Sequence, residues 1–319
     1  MIQPKVTALG GGHGLAAVLR SLRRVTPNLT AVVTVADNGG SSGRLRSEFN
    51  SLPPGDLRMA LAALCGDDEW GRSWADLMQY RFTSEGDLDG HALGNLLLAA
   101  LWDRDGDPIK GLDRVGELLK VVGRVLPMAL EPLDIEGTFR TWQGTQVIRG
   151  QKEVALGKGV LENLRLIPER VKFATEAINA ISESDWLTIG PGSWFSSVLP
   201  HLLLEEERKA IIASRARKVV LLNLDATPHM SGDEMAGSTP AEHLRQLRKY
   251  APELRIDVAV ADPSLSDQEQ EFAELTGLVH EMGGVLIVRE IAIRPGSKDH
   301  DPEKLVSVFQ DIFATEVIR

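Results

Sequence analysis

Residues 31–46, AVVTVADNGGSSGRLR, restrict the fold more than any other stretch of this 319-residue chain. Six residues suited to a buried strand (31–36) lead into Asp37 and Asn38, then Gly39, Gly40, Ser41, Ser42 and Gly43, then Arg44 and Arg46. An open α/β sheet uses such strand ends, an acid followed by a glycine-serine loop, to present backbone N–H groups to a ligand. The ligand then sits in the crevice at the carboxyl ends of the strands. Glycine removes the Cβ that would hold a phosphate or sugar at a distance, and it permits turns that aim successive N–H groups at one point. Two hydroxyls and two guanidinium groups add donors suited to an anion. The expected ligand is a phosphorylated or nucleotide-like small molecule.

The segment before it has the same layout. An apolar run at 6–9 ends at Gly10, Gly11, Gly12, His13 and Gly14, and Leu15, Val18, Leu19 and Leu22 then repeat at helical spacing. Strand, glycine turn, helix, strand is a right-handed βαβ unit. Gly12, Gly14 and Ala17 fit G-x-G-x-x-A, and Asp37 closes the second strand about 20 residues on, where dinucleotide folds place a ribose-binding acid. Read alone, those four residues leave a nicotinamide-dependent oxidoreductase open, although no hydride-transfer acid or substrate arginine is evident. Neither glycine loop has the lysine of a P-loop. Gly39 to Gly43 formally matches G-x-S-x-G, but a donor-rich loop is a poor platform for a strained hydrolase nucleophile.

Further along, Pro53, Pro54 and Gly55 stiffen a turn whose Asp56 caps the next helix, and Arg58 in its first turn adds to an anion site. His91 and Asn95, four apart and so on one helical face at the start of an apolar helix, form a second candidate pair. The region 125–167 changes to short β-prone runs and reads as a β-rich insertion. It is placed to cover the ligand or to form a dimer contact, and the sequence leaves both open; a homodimer is the expected assembly. The α/β rhythm resumes near 173, and the strand at 186–189 delivers Gly190, Pro191, Gly192 and Ser193, a second glycine-serine loop. Another strand, at 219–224, carries Asn223 and runs on to Asp225 and a Thr-Pro-His-Met-Ser-Gly loop. The fold expected is a Rossmann-like, doubly wound, mostly parallel sheet in a single α/β domain, 1–319, with the insertion attached.

Charge and cysteine content narrow the partners. Forty-five acids against 35 bases give a net charge of −10, unsuited to general nucleic-acid binding. The single cysteine, Cys65, suits a reducing compartment. No signal peptide or bilayer-length apolar run is apparent, so a cytoplasmic protein without membrane insertion is expected.

With these motifs in place, the chain resembles the gluconeogenesis factor family (YvcK type) and, more distantly, the 2-phospho-L-lactate transferases. The matching segments are Gly10 to Gly14, Val35 to Arg46, Pro53 to Arg58, Gly90 to Ala99 and Gly190 to Ser193, together with a C-terminal His300-Asp301-Pro302-Glu303-Lys304. The resemblance implies binding of UDP-N-acetylglucosamine, a role in cell shape and wall precursor supply during gluconeogenic growth, and no assigned catalysis or required cofactor. In the transferase relatives the strand-end acids help hold a metal, which would place Mg²⁺ at Asp37. Three departures stand out. His13 replaces the usual threonine of the glycine loop, and Asn38 replaces the transferases' second acid, a poorer metal ligand. The loop 225–239 also differs from the family sequence.

Overall fold

The computed structural model describes residues 3–224, 239–265 and 269–315. The 225–238 part of the divergent loop lies outside the described residues.

The first half of the chain runs β1 (Val6–Gly10), α1 (Gly12–Leu22), β2 (Leu29–Val33), α2 (Gly40–Phe49), α3 (Pro54–Ala63), α4 (Glu69–Gln79), α5 (Leu93–Asp105), α6 (Pro108–Leu119) and β3 (Arg124–Pro127). Next come β4 (Asp134–Thr141), β5 (Gly144–Arg149), α7 (Gln151–Ala155) and β6 (Val160–Ile167). The second half runs α8 (Thr175–Glu183), β7 (Trp186–Ile189), a π-helical turn (Trp194–Val198), α9 (Pro200–Leu203), α10 (Glu205–Ala213) and β8 (Arg217–Leu221). It closes with α11 (Pro240–Tyr250), β9 (Val258–Ala261), α12 (Glu269–Glu281), β10 (Val285–Val288) and α13 (Pro302–Ala314).

Seven strands form one parallel sheet in the order β10-β9-β8-β7-β1-β2-β3. Its central strands, β1 and β7, are mostly apolar and buried at every residue, as helices on both faces require. From β1 the chain steps outward through β2 to β3. It then returns to β7 and steps the other way, so the direction of winding reverses between β1 and β7. That reversal is the topological switch point, where open α/β sheets bind ligands at the carboxyl edge.

The structure shifts several boundaries. β2 stops at Val33, where its ladder partners end, β1 at Gly10 and β3 at Pro127; single bonds from Thr34 N–H to Gly10 O and from Met128 N–H to Val33 O follow. Residues 34–36 remain buried but lie past the ladder. The stretch from Gly40 to Gly43, expected as loop, is the first turn of α2. Asp37 Oδ1 accepts from the Gly39 N–H at 2.9 Å, and Gly43 N–H bonds Gly39 O at 2.9 Å, so the helix starts at once. Val125 to Pro127 belong to the edge strand of the main sheet, and the separate antiparallel sheet, in the order β5-β4-β6, begins at Asp134. Arg46 ties that sheet to α2 through Asp134 (2.7 Å) and the Leu133 carbonyl (3.0 Å). Among the described residues no helix is long and apolar enough to cross a membrane.

Candidate functional site

The turns after β1 and β7 meet. A Cβ on Gly14 would lie 2.4 Å from the Pro191 carbonyl oxygen, so the two backbones touch where any other residue would collide. A Cβ on Gly11 would lie 2.6 Å from both Asp56 Oδ2 and Thr34 Oγ1 and 3.1 Å from Ser197 Oγ. Gly11 is thus the point where the ends of β1 and β2, the start of α3 and the π-helical turn come together. The second turn is clamped from the end of β8: Asn223 Oδ1 accepts from Gly192 N–H at 3.1 Å, and Asn223 Nδ2 donates to Gly192 O at 3.0 Å. Gly190 (φ +71°) supplies the left-handed backbone of this turn, and Ser193 caps the π-helical turn by accepting from Ser196 N–H at 3.2 Å.

Three helices begin at this edge, α1 at Gly12, α2 at Gly40 and α3 at Pro54, and in none does the preceding residue cap the helix with its side chain, although Asp56 takes the Gly12 N–H of α1. Of the other helices, α4, α6, α11 and α13 are capped by Asp68, Asp107, Thr239 and Asp301, while α5, α8, α9 and α10 also lack such a cap. An uncapped first turn leaves N–H donors and the positive end of the helix dipole available to an anion.

Two carboxylates stand among these donors. Asp56 accepts from the Gly12 N–H and the Thr34 hydroxyl, yet burial, reinforced by the nearby Asp37 charge, pushes its carboxyl up to about 7. Asp37 Oδ2 and Ser42 Oγ would lie 3.1 and 2.3 Å from a Cβ on Gly55, which packs Asp37, Ser42 and the start of α3 together. Two carboxylates, the charge of Asp37 raising Asp56, with a hydroxyl beside them offer hard oxygen ligands of the kind Mg²⁺ takes, although among the described residues no cluster of three or more acids, histidines or cysteines surrounds them. The residues therefore fit such an ion: Asp37 and Asp56 would hold it, and it would supply neutralisation of phosphate charge.

Behind this edge a buried network joins α2, α3 and α5. Burial, aided by Arg44, holds the His91 imidazole below the ordinary histidine range. Its Nδ1 then accepts from Ser41 Oγ at 2.9 Å. Asn95 Nδ2 donates to Ser41 Oγ at 2.9 Å, and Asn95 Oδ1 accepts from Arg58 Nε at 2.8 Å. Arg58 is 3% exposed, and burial together with Arg81 lowers it to about 10, so it stays charged. His91 and Asn95 do not share a helical face, because α5 starts at Leu93; they meet through Ser41 instead. Ser41, the middle residue of G-x-S-x-G, is buried with its oxygen already accepting from Asn95, an arrangement that positions a helix rather than attacks a substrate. Asn95→Leu strips the buried Arg58 of its Nε acceptor and should cost about 3 kcal/mol, read as a lower urea midpoint with unchanged slope.

The arginines of the α2 segment face elsewhere. Arg44 donates to the carbonyls of Asp87 (3.1 Å) and Asp89 (2.6 Å), bracing the loop before α5, while Arg46 holds the small sheet. Asn38 Nδ2 reaches Glu153 of α7 at 3.4 Å, and α7 also packs against the π-helical turn, so the small sheet is anchored at the rim of the site. His13 is exposed in the first turn of α1. Thr34, Glu153 and Ser197 border the site without being singled out by the sequence. Thr34 and Ser197 sit in apolar surroundings that read as core, and Glu153 reads as a surface acid. A separate cavity of about 470 Å³ opens at the opposite, amino-terminal edge of the sheet, among Lys5, Asn28, Arg124 and Glu176.

Fold and site together define a Rossmann-like α/β protein with two glycine turns and an acidic pair at the sheet's switch point. The chain belongs to the 2-phospho-L-lactate transferase CofD family, matched over residues 6–280, and within it to the gluconeogenesis factors. It is 37% identical to the gluconeogenesis factor of Bacillus subtilis over 248 residues, covering 78% of this chain and 75% of that one. The Listeria innocua gluconeogenesis factor is 35% identical over 272 residues (85% and 81%), and a Mycobacterium tuberculosis relative is 43% identical over 316 residues (98% and 91%). The crystal structure of a upf0052 family protein from Bacillus halodurans superposes with a TM-score of 0.82 at 30% identity, covering 97% of this chain and 100% of that one.

Proposed function

We propose that the switch-point crevice binds a nucleotide sugar of the UDP-N-acetylglucosamine type. Through that binding, without turnover, the protein would regulate cell shape and wall precursor supply during gluconeogenic growth in the cytoplasm. The observation that carries the reading is the convergence of three uncapped helix starts with the two touching glycine turns. Unsatisfied N–H groups from separate elements then face one place, which suits a diphosphate better than a neutral guest. Gly11, His13, Gly14 and Gly40 to Ser42 supply donors from one side; in the second turn the Gly190 and Gly192 N–H groups are taken by Leu9 O and Asn223 Oδ1 and Pro191 has none, which leaves Ser193 to donate from the other. Arg44 is left out of the cradle by its bonds to Asp87 and Asp89.

Calorimetry with UDP-N-acetylglucosamine, UDP and NAD, each with and without Mg²⁺, tests this. Saturable heat with the nucleotide sugar and none with NAD is expected; no heat with any uridine nucleotide removes the reading. The Asp37–Asp56 pair favours a second reading, a metal-assisted transferase of the 2-phospho-L-lactate type. In it Asp37 and Asp56 hold Mg²⁺, and the helix starts bind the diphosphate that leaves. The ion would supply charge neutralisation at the phosphorus. Release of a nucleotide from a nucleotide-activated phospholactate donor, dependent on Mg²⁺, would decide for this second reading.

A further inference from the structure

We propose that His201 and Glu207 form a buried positioning pair that sets the orientation of the Gly10–Gly11 peptide and so aims the Gly11 N–H at the bound anion. Its consequence for binding rests on the nucleotide reading above; its geometry does not. His201, on α9, is 1% exposed, and Glu207, on α10, is 0% exposed. The ring bridges two acceptors: Nδ1 lies 2.7 Å from Glu207 Oε1, and Nε2 lies 3.4 Å from the carbonyl oxygen of Gly10.

The chemistry of these contacts is restrictive. A carbonyl oxygen only accepts, so Nε2 must carry its proton. The Nδ1 to Oε1 contact then holds one further proton, and the pair is neutral overall on whichever side that proton sits. The Gly10 oxygen also accepts from Thr34 N–H at 3.0 Å, so two donors from different elements pin it. In a trans peptide the C=O and the following N–H point opposite ways. Holding the Gly10 oxygen over His201 therefore turns the Gly11 N–H away from the ring. Among the described residues that N–H has no protein acceptor. Because α9 comes after the second glycine turn, the same bond also ties the two turns together.

Stability alone does not explain the pair. Glu207 Oε2 is buried without a partner among the described residues, whereas interiors satisfy nearly all such atoms. Replacing a buried pair of this kind by apolar side chains is often neutral or stabilising.

The test separates positioning from packing. His201→Leu alone leaves Glu207 buried and unpaired and should lower Tm sharply. The double variant His201→Leu with Glu207→Leu should recover Tm, yet bind UDP-N-acetylglucosamine at least ten-fold more weakly and shift the Gly11 amide resonance of the ligand-free protein. Glu207→Gln, whose amide can donate to Nδ1 and keep Nε2 protonated, should bind nearly as the wild type does. A folded double variant with wild-type affinity and an unmoved Gly11 resonance overturns the proposal. Should the double variant not fold, the ring nitrogens of the wild-type protein decide: a deprotonated Nε2 on His201 in a long-range ¹H–¹⁵N spectrum overturns it equally. If the wild type shows no affinity for the nucleotide sugar, the ligand reading fails by itself, and the resonance and ring measurements still test the positioning.

Discussion

Asp56→Asn should make the protein more stable above neutral pH, although Asp56 lies at the centre of the candidate site. Burial and the facing Asp37 raise the Asp56 carboxyl to about 7 in the folded chain, against the ordinary 3.8. Between these values the folded state holds a proton that the unfolded state has lost. Stability contributed by this group therefore falls as pH rises from about 4 through 7, and the loss is complete above 7. The size of the fall is on the order of 2–4 kcal/mol, reduced from the full linkage because Asp56 keeps some solvent contact. Asparagine retains an acceptor for the Gly12 N–H and the Thr34 hydroxyl but cannot ionise. At pH 8 the variant should melt roughly 4–8 °C above the wild type, and at pH 4 the two should coincide.

His91, His243 and His300, all lowered by burial, work in the opposite direction, adding stability as the pH rises toward 6.5. The difference between the wild-type and variant curves therefore isolates Asp56. Equal pH dependence in both proteins would mean that another group titrates. Mg²⁺ adds a second check. If Asp37 and Asp56 hold the ion, it should restore wild-type stability at pH 8 and leave the Asp56→Asn variant unmoved. A site that stores like-charge repulsion until a cation or a proton arrives is what a binding site trades stability for.

How much of this is legible in the sequence depends on range. β10 is legible to the residue, because Gly283 and Gly284 end the preceding helix and four apolar residues come next. The convergence of the two glycine turns is legible because parallel strands put every strand end on one edge. The partners of Arg44 and Arg46 are not legible: they are the carbonyls of Asp87 and Asp89 and the carboxylate of Asp134, contacts set by how distant loops return. Glu207 is the least legible residue of all. It stands in the run Glu205-Glu206-Glu207-Arg208-Lys209, which reads as a solvated face, yet the helical turn points this one acid inward to His201. The start of the small sheet is misplaced by the sequence for a similar reason. Val125 to Pro127 are as β-prone as the small-sheet strands themselves, and only pairing with β2 assigns them to the main sheet.

The strongest loss is expected from one methyl group at Gly14. Its Cβ would sit 2.4 Å from the Pro191 oxygen and 2.7 Å from the Pro191 carbonyl carbon, backbone atoms with no rotamer to escape into. Relief requires either α1 or the second turn to withdraw. The second turn is held by both Asn223 bonds to Gly192, and α1 is packed against α3 and α13. Overpacking of this kind costs about 3 kcal/mol, and whichever side yields, the turns separate and the donors of the crevice no longer face one ligand. Gly14→Ala should thus lower the urea midpoint and weaken UDP-N-acetylglucosamine at least a hundred-fold. Gly12 gives the contrast two residues away. Nothing lies within 4 Å of a Cβ there, but its φ is +60°, so Gly12→Ala should cost only about 1–2 kcal/mol of left-handed strain. Gly12→Asn, which tolerates that backbone better, should cost less still. Should Gly14→Ala match the wild type in both midpoint and affinity, the two turns do not bear on each other as the structure describes, and the crevice assigned to them falls with that contact.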